Sequence, residues 1–236
     1  MEAMPANPAP TLDSSALPVP RDGIAGAAPY GAPQLEVAHA LNVNENPYGP
    51  SPPLAEAVGR AAAEATAGLN RYPDREALAL RADLGAHLAA ESGIPAPEAH
   101  AVWASNGSNE IMHQLLLAYG GPGRTALGFT PHYSMYPEYA RDTYTEWVTA
   151  ERGPAPDFAL TAEAVTAAIA EHRPSIVVLT SPNNPTGTAL DLEVVDAAAA
   201  ALAPTRGLLV VDEAYAEFRR DGVPSALTLL PAHPNL

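Results

Sequence analysis

The sequence has 236 residues, 47% hydrophobic and 17% charged, with 12 basic against 27 acidic side chains and a formal charge of −15. That is enough apolar material for a core and too little positive charge to grip a phosphate backbone, so nucleic acid is not an expected partner. There is no cysteine, and all twelve basic residues are arginine, which excludes disulfides, thiolate metal sites and any chemistry needing a thiol or a lysine amine from these residues.

Residues 1–34 carry seven Pro, eight Ala and a single aromatic, Tyr30. With no apolar repeat to offset ordering entropy, they are expected to form a disordered tail. No basic stretch followed by an apolar core opens the chain, and no run of about 18 apolar residues occurs. Neither a secretory signal nor a membrane span is read, and the expected compartment is the cytoplasm. Residues 35–53, LEVAHALNVNENPYGPSPP, read as extended chain, and LAEAVGRAAAEATA (54–67) as an Ala-rich helix stopping near Gly68. Residues 35–75 are taken together as an N-terminal arm and helix, and 76–236 as the main domain.

From residue 76 the pattern alternates. EALALRADLGAHLAAES (76–92) places Leu78, Arg81, Leu84 and Leu88 near one helical face. AVWAS (101–105) reads as strand, NEIMHQLLLAYG (109–120) as helix, TALGFT (125–130) as strand, and HYSMYPEYAR (132–141) as a helix interrupted by Pro137. TYTEWVTA (143–150) reads as strand, TAEAVTAAIAEH (161–172) as helix, SIVVLTS (175–181) as strand, LEVVDAAAAALA (192–203) as helix and GLLVVDEAY (207–215) as strand. Continuous Val, Leu and Ile runs separated by helices of about a dozen residues indicate right-handed βαβ units around a buried parallel sheet, an α/β fold.

Open parallel sheets bind ligands at the carboxyl ends of their strands, and three such junctions are polar here. Residues 105–110, Ser-Asn-Gly-Ser-Asn-Glu, lead into a helix, where free backbone N–H groups and the positive end of the dipole suit an anion; an ordinary capped helix start is the alternative. Residues 181–187, Ser-Pro-Asn-Asn-Pro-Thr-Gly, follow a buried strand and form a tight loop presenting an amide. Residues 212–215, Asp-Glu-Ala-Tyr, end another strand. An acid following five apolar residues is partly desolvated and needs a cationic or hydrogen-bonding partner, and for a single such acid a structural ion pair is the more usual reason. The seven histidines lack the i, i+3 or i, i+4 spacing of a helical metal site, so no metal is expected; His132 is read as a solvated loop residue, and Met112 and Met135 as core filler. Asp212 and Glu213, adjacent on a strand, point to opposite faces and cannot act as a carboxylate pair.

Asn-Pro-Thr-Gly at 184–187, followed about 25 residues later by Asp-x-x-Tyr at 212–215, resembles the fold-type I pyridoxal-phosphate-dependent aminotransferases. Residues 41–50 (LNVNENPYGP), 70–74 (NRYPD), 106–110 (NGSNE) and 130–136 (TPHYSMY) narrow this to a resemblance to the histidinol-phosphate aminotransferase family, running from about residue 38 to the last residue. The resemblance implies a large domain with a parallel-rich sheet and flanking helices, together with the N-terminal arm of a small domain. It implies pyridoxal 5′-phosphate as cofactor, histidinol phosphate, glutamate and 2-oxoglutarate as small-molecule substrates, and a homodimer. It further implies that Asp212 pairs with the pyridine nitrogen, that Asn184 and Tyr215 hydrogen-bond the ring 3′-oxygen and that Tyr133 stacks on the ring. The amides of Gly107, Ser108 and Asn109 hold the phosphate in this scheme, Tyr72 reaches that phosphate from the neighbouring subunit, and Asn44, Glu45 and Asn46 border the substrate. The family's Schiff-base lysine and substrate-carboxylate arginine belong to its C-terminal part and small domain, which the chain is expected not to reach. The polypeptide as given is therefore expected to be catalytically incompetent alone and marginally stable, with strands such as IVVLT and GLLVV lacking part of their cover. Other fold-type I enzymes, an aromatic aminotransferase or a phosphothreonine decarboxylase, remain open within the same resemblance, as does a non-catalytic cofactor-binding fragment.

Overall fold

The computed structural model describes residues 18–27, 31, 35–39 and 42–236. The expectation of a disordered tail therefore falls largely outside the described residues; within them, 22–26 form a turn in which the N–H groups of Ile24 and Ala25 both donate to Arg21 O at 3.1 Å. The chain divides into two compact units, Met1–Tyr72 and Pro73–Leu236. The first contains helix α1 (Pro52–Thr66), which starts on two prolines that need no N–H partner there and has no buried residue.

The second unit is built on a four-stranded sheet, all parallel: β1 (Thr125–Thr130), β2 (Glu146–Glu151), β3 (Ile176–Thr180) and β4 (Leu208–Asp212), in the order β2-β1-β3-β4. Its helices are α2 (Leu78–Ser92), α3 (Gly107–Tyr119), α4 (Tyr136–Asp142), α5 (Ala162–His172) and α6 (Leu192–Leu202). Around β3 both sheet faces are covered, so it reads as the uninterrupted apolar run IVVLT with every residue buried, against the expectation that it would lack cover. In β4 only Leu209 is buried, so that strand does keep part of its apolar surface uncovered. On one face Leu127, Phe129, Val177, Leu179 and Leu209 pack against Val165 and Ile169 of α5 and Val194, Val195, Ala198 and Leu202 of α6. On the other, Ala126, Ile176 and Val178 meet Met112 and Leu116 of α3 and Tyr136 and Tyr139 of α4. Because β2 lies to one side of β1 and β3 to the other, the winding reverses between β1 and β3. The carboxyl edge at such a reversal is where open sheets leave a crevice. Strand register brings Thr130 opposite Glu151 and Thr180 opposite Asp212 along that edge.

Several sequence expectations are corrected. Residues 101–105 are not a strand: among the described residues no neighbouring strand pairs with them, and a strand exists only through its ladder. The segment is held by side chains instead, the Trp103 indole N–H donating to Gln114 Oε1 at 2.8 Å and the Arg81 guanidinium lying 5.6 Å from the Trp103 ring centroid. Pro137 does not interrupt a helix but occupies the first turn of α4, where no intrahelical N–H is needed. Strand β2 begins at Glu146 rather than 143, because Thr143 Oγ1 donates to the carbonyls of Tyr139 and Ala140 and closes the helix first. On α2 the inward face is set by Arg81 and Gly85, while Leu78 is 53% exposed. Arg81 donates to Ala99 O and Glu76 O, and a side chain at Gly85 would collide with the Pro97 carbonyl. Strand β4 ends at Asp212, and the chain then turns through a short 3-10 segment, Ala216–Phe218. Among the described residues no helix is long and apolar enough to cross a membrane.

Candidate functional site

At the carboxyl edge of β3 and β4 lies a cavity of about 190 Å³, lined by Ser108, Asn109, Tyr133, Tyr136, Thr180, Asn184, Asp212, Ala214 and Tyr215. Six residues singled out from the sequence (Ser108, Asn109, Tyr133, Asn184, Asp212 and Tyr215) share this one wall. They come from four separate chain segments. Gly107 adjoins it as the first residue of α3.

Asp212 sits at the end of β4 with both carboxylate oxygens engaged. Oδ2 accepts from the Tyr136 hydroxyl at 2.8 Å and Oδ1 from the Ala214 N–H at 3.0 Å. The partner that the sequence demanded is thus a neutral phenol and a backbone amide, and among the described residues no arginine or histidine is ion-paired with it. Tyr136 was not singled out from the sequence. Its only signal was the repeated Tyr spacing in TPHYSMY, which gives no hint that the second tyrosine turns under the site. It is 1% exposed, and its hydroxyl is also 2.9 Å from Thr180 Oγ1. Burial, and then the negative charge of Asp212, push the ionisation of this phenol well above its ordinary range, so it stays protonated and remains a donor. Glu213 points to the other sheet face, where it accepts from Ser225 Oγ at 2.6 Å and Ala226 N–H at 2.9 Å.

The start of α3 differs from a simple cap. Asn106 makes no side-chain cap; instead Glu110 Oε2 accepts from both the backbone N–H and the side-chain amide of Asn106, each at 2.8 Å. Hydrogen bonds from Ser105 and Asn106 hold the Glu110 carboxyl below the usual carboxylate range. The expected amide of Gly107 is already committed, donating to Ser105 O at 2.9 Å, and Gly107 has φ +76°, a conformation that glycine adopts without strain. The amides of Ser108 and Asn109 belong to the first helical turn, where no intrahelical acceptor exists. The cavity thus has an anionic acceptor at Asp212 and the positive end of a helix at Ser108 and Asn109. That polarity suits a small molecule cationic at one end and anionic at the other.

The two adjacent asparagines of the β3 loop divide their work. Asn183 is 3% exposed, its Nδ2 donating to Pro131 O at 3.1 Å and to Thr186 Oγ1 at 2.8 Å, while its main chain bonds Thr188 and Gly187. Asn183 therefore pins the loop, and Asn184 is left half-buried in the cavity wall. Asn183→Ala is expected to cost about 1–3 kcal/mol by orphaning buried acceptors. Asn184→Ala should leave stability within about 0.5 kcal/mol. Urea unfolding of the two variants checks this difference.

Tyr133 is half-buried, its ring edge-on to Tyr136 at 5.6 Å. His132, expected in solvent, is instead half-buried edge-on to Trp147 at 5.2 Å, its Nδ1 2.8 Å from the Tyr133 carbonyl. Tyr72 is fully exposed within the N-terminal unit. In that same unit Asn44 has φ +53° and Asn46 Oδ1 accepts from the Tyr48 N–H at 3.0 Å; Asn44, Glu45 and Asn46 are all exposed. Among the described residues no group of three or more His, Asp or Glu side chains is arranged to hold a metal ion.

The family model described as aminotransferase class I and II matches residues 39–236. Among curated proteins, the histidinol-phosphate aminotransferase of Thermobifida fusca (strain YX) is 62% identical over 216 residues, covering 92% of this chain and 56% of that protein. That of Frankia casuarinae is 59% identical over 225 residues, covering 95% and 56%. The chain therefore spans a little over half the length of the curated relatives it matches. Among solved structures, histidinol-phosphate aminotransferase from Sinorhizobium meliloti in complex with pyridoxal-5′-phosphate superposes with a TM-score of 0.66 at 26% identity, over 82% of this chain and 48% of that one. Aspartate aminotransferase from Thermus thermophilus with maleate gives 0.65 at 28% identity, over 75% and 47%. A family model that takes in residues 39–236, relatives 62% and 59% identical over more than nine-tenths of the chain, and solved aminotransferases that superpose on most of it lead to one conclusion: the chain belongs to the aminotransferase class I and II family.

Proposed function

We propose that this chain builds the pyridoxal-phosphate pocket of an enzyme that exchanges an amino group between histidinol phosphate and 2-oxoglutarate, acting as a cytoplasmic homodimer. The observation that carries the reading is the convergence of Asp212, Asn184, Tyr215 and Tyr133 on one cavity that the start of α3 also lines. The donor set fits the cofactor: a carboxylate held by neutral donors for a protonated ring nitrogen, and helix N-terminal amides for a phosphate. When bound, pyridoxal phosphate supplies an electron-withdrawing ring for chemistry at the substrate's α-carbon.

The residues of this chain bind and orient. Asp212 accepts the ring N–H, and Asn184 and Tyr215 offer donors to the ring 3′-oxygen. Tyr133 packs against the ring face and keeps water from it. The amides of Ser108 and Asn109 take the phosphate, and Gly107 supplies the turn rather than a third donor. Tyr72 of a second copy reaches the same phosphate, and Asn44, Glu45 and Asn46 border the substrate. None of the 236 residues is a lysine, so these residues hold the cofactor without forming a covalent bond to it through a lysine amine.

Pyridoxamine 5′-phosphate tests the pocket, since it needs no lysine to bind. Calorimetric titration is expected to give saturable 1:1 binding, and borohydride treatment of the chain loaded with pyridoxal phosphate should leave no cofactor attached on mass spectrometry. Absence of binding at millimolar ligand overturns the reading. The substrate assignment is checked on the loaded chain: histidinol phosphate should change the visible spectrum at concentrations where tyrosine and phosphothreonine do not.

A further inference from the structure

The outer contacts of Asp212 carry a second conclusion, which rests on the cofactor reading above. A half-buried carboxylate can be held in place by a cation or by neutral donors. A cation cancels its charge and competes with any positively charged ligand; neutral donors fix its direction and leave the full charge available. Here the donors are neutral: the Tyr136 hydroxyl on Oδ2 and the Ala214 amide on Oδ1. We propose that Tyr136 is a positioning residue, which aims Asp212 at a protonated ring nitrogen without neutralising it.

The geometry is directional. A phenol has one proton, and with that proton given to Asp212, the contact of Tyr136 with Thr180 Oγ1 at 2.9 Å is made by Thr180 donating to the phenol oxygen. The chain of hydrogen bonds runs from the end of β3, through α4, to the end of β4, and so ties the two strand ends that frame the cavity. The tyrosine cannot swing away. It is 1% exposed and wedged among Tyr133 at 5.6 Å, His132 at 5.9 Å and Trp147 at 6.0 Å between ring centroids. The charged and titratable groups that face it are Asp212 from β4, His132 and Tyr133 from its own loop, and Arg152 from the end of β2. Arg152 is 7% exposed, burial pushes its guanidinium down to about 10, and its Nε and Nη1 have no hydrogen-bond partner among the described residues. It acts on Tyr136 through space and is not ion-paired with Asp212.

Tyr136→Phe removes the hydroxyl and keeps the ring. The test compares pyridoxamine 5′-phosphate with its 1-deaza analogue, which has carbon in place of the ring nitrogen. For Tyr136→Phe the affinity for pyridoxamine phosphate is expected to fall about tenfold, with the analogue changed less than twofold. Thr180→Val should lower the affinity for pyridoxamine phosphate in the same selective way by a smaller factor, and it stands in if Tyr136→Phe fails to fold. Equal losses for both ligands, or no change in either variant while the wild type binds, overturn the proposal. Absence of binding by the wild type brings down the cofactor reading itself, and this inference with it.

Discussion

Asp212→Asn should weaken binding of pyridoxamine phosphate about a hundredfold and leave the melting temperature within about 2 °C of the wild type. The reason for the loss is charge. The carboxamide keeps the shape of Asp212 and its oxygen can still accept from Tyr136, while the exposed Ala214 N–H loses its acceptor to an NH2 group and turns to water; a ring N–H⁺ then meets a neutral acceptor in place of an anion. Charge-assisted hydrogen bonds in partly buried sites are worth about 1.5–3 kcal/mol more than nothing, and a factor of one hundred is about 2.8 kcal/mol. The reason stability survives is that Asp212 is not half of an ion pair, so no orphaned cation is left behind; its contacts are Tyr136 and the Ala214 amide. Isothermal titration with the 1-deaza analogue isolates the effect, since a ligand without the ring nitrogen should lose only a few-fold. A variant that binds both ligands as the wild type does would remove Asp212 from the site.

Leu179→Ala is expected to have the largest effect on folding. Leu179 is 0% exposed on the central strand β3, inside the cluster formed with Phe129, Val165, Val195 and Leu209. Deleting its side chain removes apolar burial and leaves a cavity that packed helices on that face cannot collapse into. The cost is about 3 kcal/mol, within a usual span of roughly 2–5. For a unit of this size each kcal/mol moves the midpoint by roughly 2–4 °C, so thermal unfolding should shift down by about 10 °C. The damage should also reach the site, because Thr180 and the pinned loop that carries Asn184 follow Leu179 directly. A midpoint within about 2 °C of the wild type would show that β3 is not the packed centre of this unit.

Much of the fold could be read before the structure. The strands 125–130, 176–180 and 208–212 and the helices 162–172 and 192–202 lie within a residue or two of their sequence-based bounds, apart from the longer reading of the last strand. Buried parallel strands must be apolar on both faces, and their covering helices must be amphipathic, so composition and period carry the information. Residues 101–105 show the limit. AVWAS has strand-like side chains, but a strand also needs a neighbour, and no local property of a segment says whether one lies beside it. Pro137 shows another: the same residue breaks a helix interior and suits a helix start, and only the position of the first turn separates the two cases.

The site divides in the same way. The short motifs, through the family they resemble, named six residues of the cavity wall, which sit at a strand end, a helix start and the loops between elements. Sequence alone also determined that no lysine amine is available in these 236 residues and that the sheet is parallel. Tertiary structure decided which donor holds Asp212, and that Asn183 pins the loop to Pro131 while Asn184 faces the cavity. Those facts depend on contacts between groups as far as 76 positions apart in the chain, as Tyr136 and Asp212 are. Local sequence constrains backbone shape, whereas the partner of a buried polar atom is chosen by whichever distant side chain the packing brings within 3 Å.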